Sequence, residues 1–464
     1  MYFCRINYQS YTSFSDKMNN ILIIGAGRSA TALIDYVLEQ AKKYNWFVTV
    51  ADTDHELASR KVNGHPNGRG TWLDATKVND RRESIGRADV VVSLLPAHLH
   101  LEVAQDCLKL KKHLITASYI SKQLYALGDE ARARALIFMG EMGLDPGIDH
   151  MSGKQKIDEI KAKGGRLKSF RSYTGGLVAP ENDDNPWHYK FSWNPRNVVL
   201  AGQGTAQYLE EGKLRYVPYN RIFSSAKPLI IPGVKGEYEA YVNRDSLLYR
   251  ELYDLGPIAN LERGTIRYKG FSKAWDALVK IGLTDSSFPI LDSEEITYHE
   301  LIDAYVSSSA PYGSVKEKVA NIIGETVDSE VMKKLDWLGL FSKKKIRMKS
   351  ATPALILENL LLEKWKLQDN EKDMVIMQHE LEYEVARQNR RLTSTLVLYG
   401  TDGNHTAMSR MVGLPIGIFV KLVMLGKINS IGVNIPVLKE VYEPVLEELK
   451  DYGVVFNEKD EVIR

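Results

Sequence analysis

The chain has 464 residues, which is more than one ordinary hydrophobic core accommodates, so we expect two or three packed units. Hydrophobic residues make up 44% and charged residues 26%, a composition typical of folded rather than disordered chains. The formal net charge of +2 at pH 7 gives no global reason to expect a nucleic-acid partner.

Cysteine usage and hydropathy bear on the compartment. Only two cysteines, Cys4 and Cys107, are present, so we expect no structural disulfide, no cysteine metal site and a reducing cytoplasm. No run of about 18 apolar residues occurs, so we expect no transmembrane helix and no membrane partner. Residues 1–17 lack the apolar region of a signal peptide and are predicted to be a loosely ordered extension or an overlong start assignment.

The first patterned segment predicts half of a dinucleotide-binding fold. A short apolar run at residues 20–24 is followed by a glycine turn and a helical pattern through about Ala41. A second apolar strand at residues 47–51 ends at Asp52, which completes the order strand, glycine turn, helix, strand and acid. Apolar runs without alternation indicate a parallel sheet covered on both faces, and further strands are predicted at residues 71–74, 89–93, 113–116 and 136–140.

The glycine turn, Gly25-Ala26-Gly27-Arg28-Ser29-Ala30, predicts a cofactor site. Gly25 allows the tight turn, Gly27 lets the backbone approach a pyrophosphate, and the small Ala30 lets the helix pack closely on the sheet. The helix N-terminus then offers free N–H groups and a positive dipole end to the phosphates. A purely structural glycine turn is the alternative, and the strand, helix and acid around the turn disfavour it.

Asp52 bears on the choice between NAD and NADP. A carboxylate at this place accepts hydrogen bonds from the adenosine ribose hydroxyls and repels a 2′-phosphate. No arginine follows directly, because the sequence continues Thr53-Asp54-His55. These residues therefore predict NAD, with NADP as the alternative.

The later sequence predicts a discontinuous architecture. We expect a dinucleotide-binding domain at residues 18–148 and a central mixed α/β domain made of residues 149–272 and 367–400. A helical insert is predicted at residues 273–366, and helices at residues 401–464 are predicted to pack back on the first domain. A β-hairpin is expected at about residues 381–399, with its turn at residues 387–391.

Long motifs are spread along the chain in a fixed order: Asp89 to Pro96 (DVVVSLLP), His113 to Ser121 (HLITASYIS), Glu141 to His150 (EMGLDPGIDH), Gly175 to Glu181 (GGLVAPE), Tyr189 to Arg196 (YKFSWNPR), Asn243 to Ser246 (NRDS) and Arg263 to Gly270 (RGTIRYKG). From about residue 20 to the C-terminus their order and spacing resemble the saccharopine reductases, the L-glutamate-forming saccharopine dehydrogenases. Two places depart from that family. Thr174 stands where the family often has Cys, and Ala97-His98-Leu99-His100 stands where it often has Tyr-Thr-Phe-His.

The resemblance implies a Rossmann-type domain completed by C-terminal helices, with a central mixed α/β domain and a helical insert. It implies hydride transfer between NAD(P) and an imine of 2-aminoadipate 6-semialdehyde with glutamate, the reaction that forms or breaks saccharopine in lysine metabolism. A homodimer through the middle sheet is also implied. The implied cofactor-binding residues are Gly25, Gly27, Arg28, Ser29, Ala30, Asp52, Thr53, Leu95, Pro96 and Trp193, and the implied substrate-binding residues are Ser118, Tyr119, Asp145, Arg244, Thr265, Ile266 and Arg267; no metal is expected.

Residue chemistry assigns roles within that set. Arg244 is expected to clamp a substrate carboxylate, because guanidinium binds carboxylate bidentately, and Trp193 to wall the nicotinamide side. Asp145 and Tyr119 are the candidates for the general acid/base, with His98 and His150 behind them. The structural alternatives are an Arg244–Asp245 surface pair and a plain core role for Trp193.

Two other functional interpretations stay open at this point. One is a related amine dehydrogenase, of the carboxynorspermidine or homospermidine type or a lysine 6-dehydrogenase, which the GGLVAPE, KFSW and NRDS motifs disfavour. The other is a non-catalytic nucleotide-binding scaffold, which the intact glycine turn disfavours.

Overall fold

The computed structural model describes residues 19–201, 203–309 and 312–463; the predicted extension at residues 1–17 lies outside them. The first part alternates short apolar strands with helices, as the glycine-turn pattern predicts. Its elements are β1 (Asn20–Ile24), α1 (Thr31–Tyr44), β2 (Phe47–Asp52), α2 (His55–Val62), β3 (Gly68–Trp72), α3 (Val78–Gly86), β4 (Val90–Ser93), α4 (His100–Leu110), β5 (His113–Thr116), α5 (Lys122–Tyr125), α6 (Gly128–Ala133) and β6 (Ile137–Met139).

The middle of the chain holds long strands and then a run of helices. Its elements are α7 (Ile148–Ala162), β7 (Arg166–Val178), α8 (Pro195–Val199), β8 (Ala206–Glu210), β9 (Lys213–Val217), α9 (Tyr219–Ile222), β10 (Lys227–Leu229), β11 (Tyr238–Val242), α10 (Tyr249–Leu252), β12 (Asn260–Tyr268), α11 (Phe271–Lys280), α12 (Tyr298–Val306), α13 (Val315–Ile323), α14 (Glu330–Leu338) and α15 (Pro353–Lys364). The last part comprises β13 (Asp373–Val385), β14 (Gln388–Tyr399), α16 (Ala407–Met424), β15 (Gly432–Asn434), α17 (Lys439–Leu449) and β16 (Phe456–Val462).

Seven parallel strands form the first sheet, in the order β15-β6-β5-β4-β1-β2-β3. Strands β1 and β4 are almost wholly apolar and buried, because helices cover both faces of the sheet. The order changes direction on either side of β1, which is the switch point where ligands of open α/β sheets bind, beyond the carboxyl ends of the strands. The predicted Rossmann-type α/β class is confirmed.

A mixed sheet of nine strands forms the centre of the molecule. Its main order is β10-β11-β12-β7-β13-β14-β16, with β8 and β9 attached beside β12. Helix α7 packs on one face of β7 and β13, where Ile157, Phe170 and Leu381 share one buried cluster. Successive residues of a strand point to opposite faces, so alternate side chains of β12 and β7 lie on the face covered by α7 and the others lie on the opposite face.

The C-terminal segment returns to both sheets. Strand β15 adds to the edge of the first sheet beside β6, and β16 adds to the second sheet beside β14. Only helices were predicted for residues 401–464, and the structure corrects this because the segment also contains the strands β15 and β16. The predicted hairpin turn at residues 387–391 is also wrong. The strands pair up to Val385 and Gln388, so only Ala386 and Arg387 form the turn, both in the left-handed region.

Helix α16 is long and apolar enough to cross a membrane, although Arg410 and Lys421 interrupt its apolar residues, but 83% of it is buried inside the protein. It packs against α1 at very short range. A Cβ added at Gly413 would lie 2.6 Å from the backbone nitrogen of Leu33, and one at Gly417 would lie 2.6 Å from the ring of Tyr36. Helix α16 is therefore a core helix of the first domain, and its small residues allow the close approach.

Candidate active site

The glycine turn lies at the carboxyl end of β1, where a dinucleotide pyrophosphate would bind. Gly25 has φ +108°, and a Cβ there would lie 3.2 Å from the carbonyl oxygen of Leu94. At Gly27 a Cβ would meet nothing within 4 Å, so this side of the turn is open to a ligand. Ser29 is half-buried and Ala30 is buried at the start of α1. Leu95 and the exposed Pro96 follow β4 at the same edge of the sheet.

The Asp52 carboxylate ties the end of β2 to the glycine turn. One oxygen accepts a hydrogen bond from the Ala26 N–H at 2.7 Å, and the other accepts one from the Asp54 N–H at 3.0 Å. The exposed Thr53 hydroxyl lies 3.3 Å from the same second oxygen. An acceptor-only group held here suits ribose hydroxyls and disfavours a further negative charge.

The segment that follows β7 packs beside the glycine turn. Arg28, just past the glycine turn, donates to the carbonyl oxygen of Phe191 at 2.9 Å. The Trp193 indole donates to the Tyr189 hydroxyl at 3.2 Å. Trp193 is partly buried and packs against both the core of the first domain and the core of the helical insert. It therefore lies where the two units meet, and a purely structural role remains compatible with this packing.

Two carboxylates and one guanidinium form the charged centre between the sheets. Arg263, on β12, donates to Asp145 at 2.7 Å and to Asp149 through the same terminal nitrogen. Its side chain is 5% exposed, and its guanidinium carbon lies 4.3 Å from the centre of the Tyr249 ring. The Gly147 N–H adds a hydrogen bond of 2.7 Å to Asp149.

The pKa values of these two carboxyl groups are pushed apart. Burial raises the pKa of Asp145, and the charge of Arg263 only partly opposes it. For Asp149 burial acts in the same direction, but the charges of His150 and Arg263 together with the Gly147 N–H hold its pKa below the ordinary value. Asp145 is thus the member that takes up a proton more readily, which is the property required of a general acid/base.

Tyr119 lies directly beside Asp145, and Arg244 lies beside Tyr119. The Tyr119 hydroxyl lies 3.3 Å from the Asp145 carboxylate, and burial raises the pKa of this phenol above its usual range. The Arg244 guanidinium lies 4.7 Å from the centre of the Tyr119 ring. Arg244 is exposed and has φ +49°. The structure thus brings three of the predicted residues together.

The structure does not support the alternative surface pair between Arg244 and Asp245. Asp245 instead accepts hydrogen bonds from the Leu247 and Leu248 N–H groups, at 2.8 and 3.3 Å. Among the described residues, no carboxylate forms an ion pair with Arg244. Its charge is therefore available to a ligand.

Behind Tyr119, a buried network joins the two units. The Glu141 carboxylate accepts a hydrogen bond from the Ile120 N–H at 3.2 Å and lies 2.8 Å from Nε2 of His150. Nδ1 of His150 lies 2.5 Å from the Tyr253 hydroxyl. His150, one of the two reserve candidates, is thus fully enclosed and supports the site from behind. The other, His98, is exposed in the turn after β4.

Three predicted residues of β12 divide between the faces of the sheet. Thr265 lies on the face of Arg263 and pairs with Thr174 of β7. The Ile266 side chain points to the other face and packs among Leu177, Ile376 and their neighbours, so only its backbone lies toward Arg263, and its predicted role in substrate binding stays a prediction. Arg267 shares the face of Arg263 but is 4% exposed and lies 5.2 Å from the Tyr189 ring. It is therefore enclosed among aromatic side chains rather than directed at Asp145.

Sequence reasoning did not assign roles to Arg263, Glu141 and His100. Arg263 and Glu141 stand inside quoted motifs, and His100 is in a stretch noted only as a departure from the family. A buried arginine cannot be told from a surface arginine by its spacing, so its pairing with Asp145 had no signal in the sequence. Nε2 of His100 lies 2.7 Å from the Ser118 hydroxyl, which places a histidine behind a predicted substrate residue.

Comparison with known proteins identifies the family. The model described as the saccharopine dehydrogenase NADP binding domain matches residues 21–138, and the model of the saccharopine dehydrogenase C-terminal domain matches residues 143–454. The chain belongs to the saccharopine dehydrogenase family. It is therefore a nicotinamide-dinucleotide oxidoreductase.

Two relatives match this chain over nearly their whole length, and a third matches it over part of its length. The chain is 36% identical over 453 residues to saccharopine dehydrogenase [NADP(+), L-glutamate-forming] of Saccharomyces cerevisiae, covering 95% of this chain and 99% of the relative. The enzyme of the same name from Pyricularia oryzae is 35% identical, with coverages of 95% and 98%. Alpha-aminoadipic semialdehyde synthase of Arabidopsis thaliana is 34% identical over 96% of this chain but only 45% of its own length.

A solved structure agrees with the fold. The apo histidine-tagged saccharopine dehydrogenase (L-Glu forming) from Saccharomyces cerevisiae superposes with a TM-score of 0.83 at 35% identity, covering 96% of this chain and 100% of that one.

Proposed function

We propose that this protein is an L-glutamate-forming saccharopine dehydrogenase. The observation that carries the proposal is the cluster of Asp145, Tyr119, Arg244 and Arg263 at the cleft between the glycine-turn domain and the second sheet. Relatives that match over nearly their whole length bear this name and support it. The related amine dehydrogenases remain the alternative substrate class.

The charge pattern suits saccharopine, which carries three carboxylates and two amines. Arg244 is exposed beside Tyr119 and, within the described residues, has no carboxylate partner, so it can accept a substrate carboxylate in a bidentate pair. Arg263 is already neutralised by Asp145 and Asp149, so its role is to hold those acids in place. Ser118 adds a hydroxyl at the same edge.

Asp145 is the residue that we assign to proton transfer. A bound nicotinamide would supply hydride transfer at the carbon of the C–N bond, and residues of this chain would move protons on the bridging nitrogen and on the water that hydrolyses the imine. Asp145 has a raised pKa and a hydrogen bond to the Tyr119 hydroxyl, so the pair can hold and pass a proton next to the substrate.

For the cofactor, we propose NAD as the preferred dinucleotide. Asp52 and Asp54 place two carboxylates in the turn that meets the adenosine ribose, and the charge of a 2′-phosphate would be repelled there. The names of the relatives and of the matching domain favour NADP instead. The two inferences differ in a measurable way, because each predicts an opposite ratio of catalytic efficiencies.

The experiment is a steady-state assay of saccharopine oxidation with NAD+ and with NADP+, and of the reverse reaction with glutamate and 2-aminoadipate 6-semialdehyde. We expect turnover in both directions and a higher kcat/KM with NAD+. Lysine alone and a carboxynorspermidine-type substrate serve as controls for the related amine dehydrogenases. Turnover of a control but not of saccharopine would contradict the substrate, and dinucleotide binding without any turnover would favour a non-catalytic scaffold.

A further inference from the structure

A buried histidine connects two serines at neighbouring strand ends. Ser93 is the last residue of β4, and Ser118 follows β5 at the same edge of the sheet. His100, the first residue of α4, lies between them. Its Nδ1 is 3.0 Å from the Ser93 hydroxyl oxygen, and its Nε2 is 2.7 Å from the Ser118 hydroxyl oxygen. The imidazole thus contacts both a core serine and a serine that we place at the substrate.

The charge state of this ring limits its hydrogen bonds. His100 is 4% exposed, and burial lowers its pKa to about 4. At neutral pH the ring is therefore neutral and carries one N–H, so one nitrogen donates and the other accepts. Which nitrogen carries the proton depends on what its neighbours require.

Ser93 decides the tautomer. It is 0% exposed, and in the described part of the chain its hydroxyl has no hydrogen-bond partner other than His100. If Nδ1 carried the proton, the Ser93 O–H would have no acceptor, and an unpaired buried hydroxyl is costly. With the proton on Nε2, Ser93 donates to Nδ1 and Nε2–H donates to the Ser118 oxygen. Only this arrangement satisfies both buried groups.

We propose that His100 is a positioning residue that fixes the Ser118 O–H as a donor toward an anionic group of the ligand, a substrate carboxylate. Because Ser118 accepts from Nε2–H, its own proton points away from the ring and into the cleft. The ligand assignment rests on the proposed function, whereas the direction of the hydrogen-bond chain does not. The chain of hydrogen bonds from Ser93 through His100 to Ser118 thus directs the Ser118 O–H at the ligand as a donor, without a formal positive charge.

Two conservative variants each keep only one of the two hydrogen bonds of the His100 ring. In His100→Gln the side-chain amide can place an N–H near the position of Nε2 and retain the donor to Ser118. In His100→Asn the amide oxygen can replace Nδ1 as the acceptor for Ser93, but nothing reaches Ser118. We expect His100→Asn to raise the KM for saccharopine about tenfold, the scale of one hydrogen bond to a charged group, and His100→Gln to raise it far less. The KM for the dinucleotide should stay nearly unchanged in both.

A double-mutant cycle with Ser118→Ala distinguishes positioning from a structural role. If His100 acts through Ser118, His100→Asn adds nothing to the KM of Ser118→Ala. If His100 merely supports the fold, His100→Asn lowers the melting temperature and changes the KM by the same factor in both backgrounds, which would overturn the proposal.

The tautomer can be read without any turnover. Wild-type protein labelled with 15N-histidine is compared with His100→Gln, so that the missing signals identify His100 among the 10 histidines. We expect the nitrogen shifts of an Nε2–H tautomer. An Nδ1–H tautomer overturns the inference even if saccharopine is a substrate. An Nε2–H tautomer in a protein that does not oxidise saccharopine contradicts the proposed function and supports the orientation of Ser118.

Discussion

At the scale of single residues, Asp145 and Asp149 both pair with Arg263, but ionisation of the first lowers the free energy of unfolding and ionisation of the second raises it. The pKa of Asp145 is raised, mainly by burial, so its ionised form is less stable in the fold than in the unfolded chain. Ionisation of Asp145 therefore lowers the free energy of unfolding as the pH rises through and above the ordinary range of aspartate. The pKa of Asp149 is lowered, so its charge stabilises the fold at neutral pH and that contribution is lost as the pH falls through the folded-state value.

This contrast predicts different results for two matched substitutions. Asp145→Asn should lower kcat by a factor of roughly 10²–10⁴, the usual contribution of a general acid/base. The melting temperature at pH 7 should stay unchanged or rise. Asp149→Asn should lower the melting temperature, because it removes the carboxylate whose charge stabilises the fold at pH 7, and breaking a buried ion pair of this kind costs about 3 kcal/mol or more. Thermal unfolding and steady-state kinetics of both variants test this. Equal destabilisation by the two substitutions would contradict the assignment.

Arg244 predicts a separate result, because it is exposed and stacks on Tyr119 without an ion pair among the described residues. Arg244→Ala should raise the KM for saccharopine by roughly ten- to a hundredfold, since about 1.5–3 kcal/mol of charge-assisted bonding is lost. Arg244→Lys should recover only part, because an ammonium lacks the planar fork. Dinucleotide affinity and melting temperature should change little. A lower melting temperature with intact kinetics would show a structural residue instead.

Asp52 predicts how cofactor preference can be changed. Asp52→Ser combined with Thr53→Arg removes the carboxylate that faces the ribose and adds a cation for a 2′-phosphate, so the ratio of kcat/KM for NADP+ over NAD+ should rise. Thr53→Arg alone is the control, because it keeps the carboxylate bonded to the Ala26 N–H. If the unaltered protein already prefers NADP+ by a large factor, Asp52 does not determine the choice.

Residues differ in how far the sequence could place them. Gly25 and Asp52 have fixed positions in a local strand–turn–helix pattern, so their neighbourhood followed from spacing alone. Arg263 lies 118 positions from Asp145, and only the pairing of β12 with β7 and the packing of α7 bring the two together. The motif that contains Ile266 names consecutive residues, whereas a strand directs alternate side chains to opposite faces, so the sequence alone did not show that the Ile266 side chain lies away from Arg263.

At the scale of elements, the contact between α1 and α16 depends on small residues. A Cβ on Gly413 would lie 2.6 Å from the Leu33 backbone nitrogen, a position that cannot move without the helix. Gly413→Ala should therefore lower the melting temperature, because overpacking of about 1–3 kcal/mol exceeds the roughly 1 kcal/mol gained in helix propensity. The control is Gly86→Ala in α3, where the added Cβ meets nothing within 4 Å and stability should be unchanged or slightly higher. Equal effects of both substitutions would contradict the packing argument.

Element boundaries followed from sequence where the strand was a compact apolar run, whereas the polar strand predicted at residues 71–74 spans Gly68–Trp72. Strand β5 begins and ends at His113 and Thr116, as the apolar run predicted. The hairpin turn was misplaced because the basic residues near 390 look like a loop, yet they continue the strand and pair with acids across it, as Arg391 does with Glu382 at 2.6 Å. Strands β15 and β16 are short or highly charged, and only their partners in the two sheets define them.

At the scale of the whole molecule, the segment from α16 to β16 packs back on both sheets. Helix α16 packs on α1, β15 extends the first sheet and β16 extends the second. The two sheets are thus joined at the C-terminus as well as by α7, and the cleft that holds Asp145 lies between two units fixed at more than one place. A site assembled from both units gains the close positioning that hydride and proton transfer require.

The second sheet also has a face that points away from α7, and we propose that a second copy of the chain packs there. His379 of β13 contacts Ser152 of α7 at 2.7 Å, so the neighbouring Gln378 points to the opposite face. Gln378 donates to the carbonyl oxygen of Ile230 at 3.3 Å, which places the segment after β10 over that face. The Ile230 side chain is 84% exposed there, so a second copy that packs on this face would cover it.

Light scattering at micromolar concentration tests this arrangement. The wild-type protein should have the mass of a dimer, and Ile230→Glu should shift it toward the monomer of 52.5 kDa, because a buried unpaired carboxylate opposes association. Phe288→Glu is the matched control, since Phe288 is 79% exposed on the helical insert, whose core is separate from the cluster beneath this face, and its replacement should leave the mass unchanged. Because both side chains are largely in solvent within one chain, neither change should lower the melting temperature of the monomer. A wild-type protein that is monomeric, or a Phe288→Glu variant that dissociates while Ile230→Glu does not, would place the interface elsewhere or remove it.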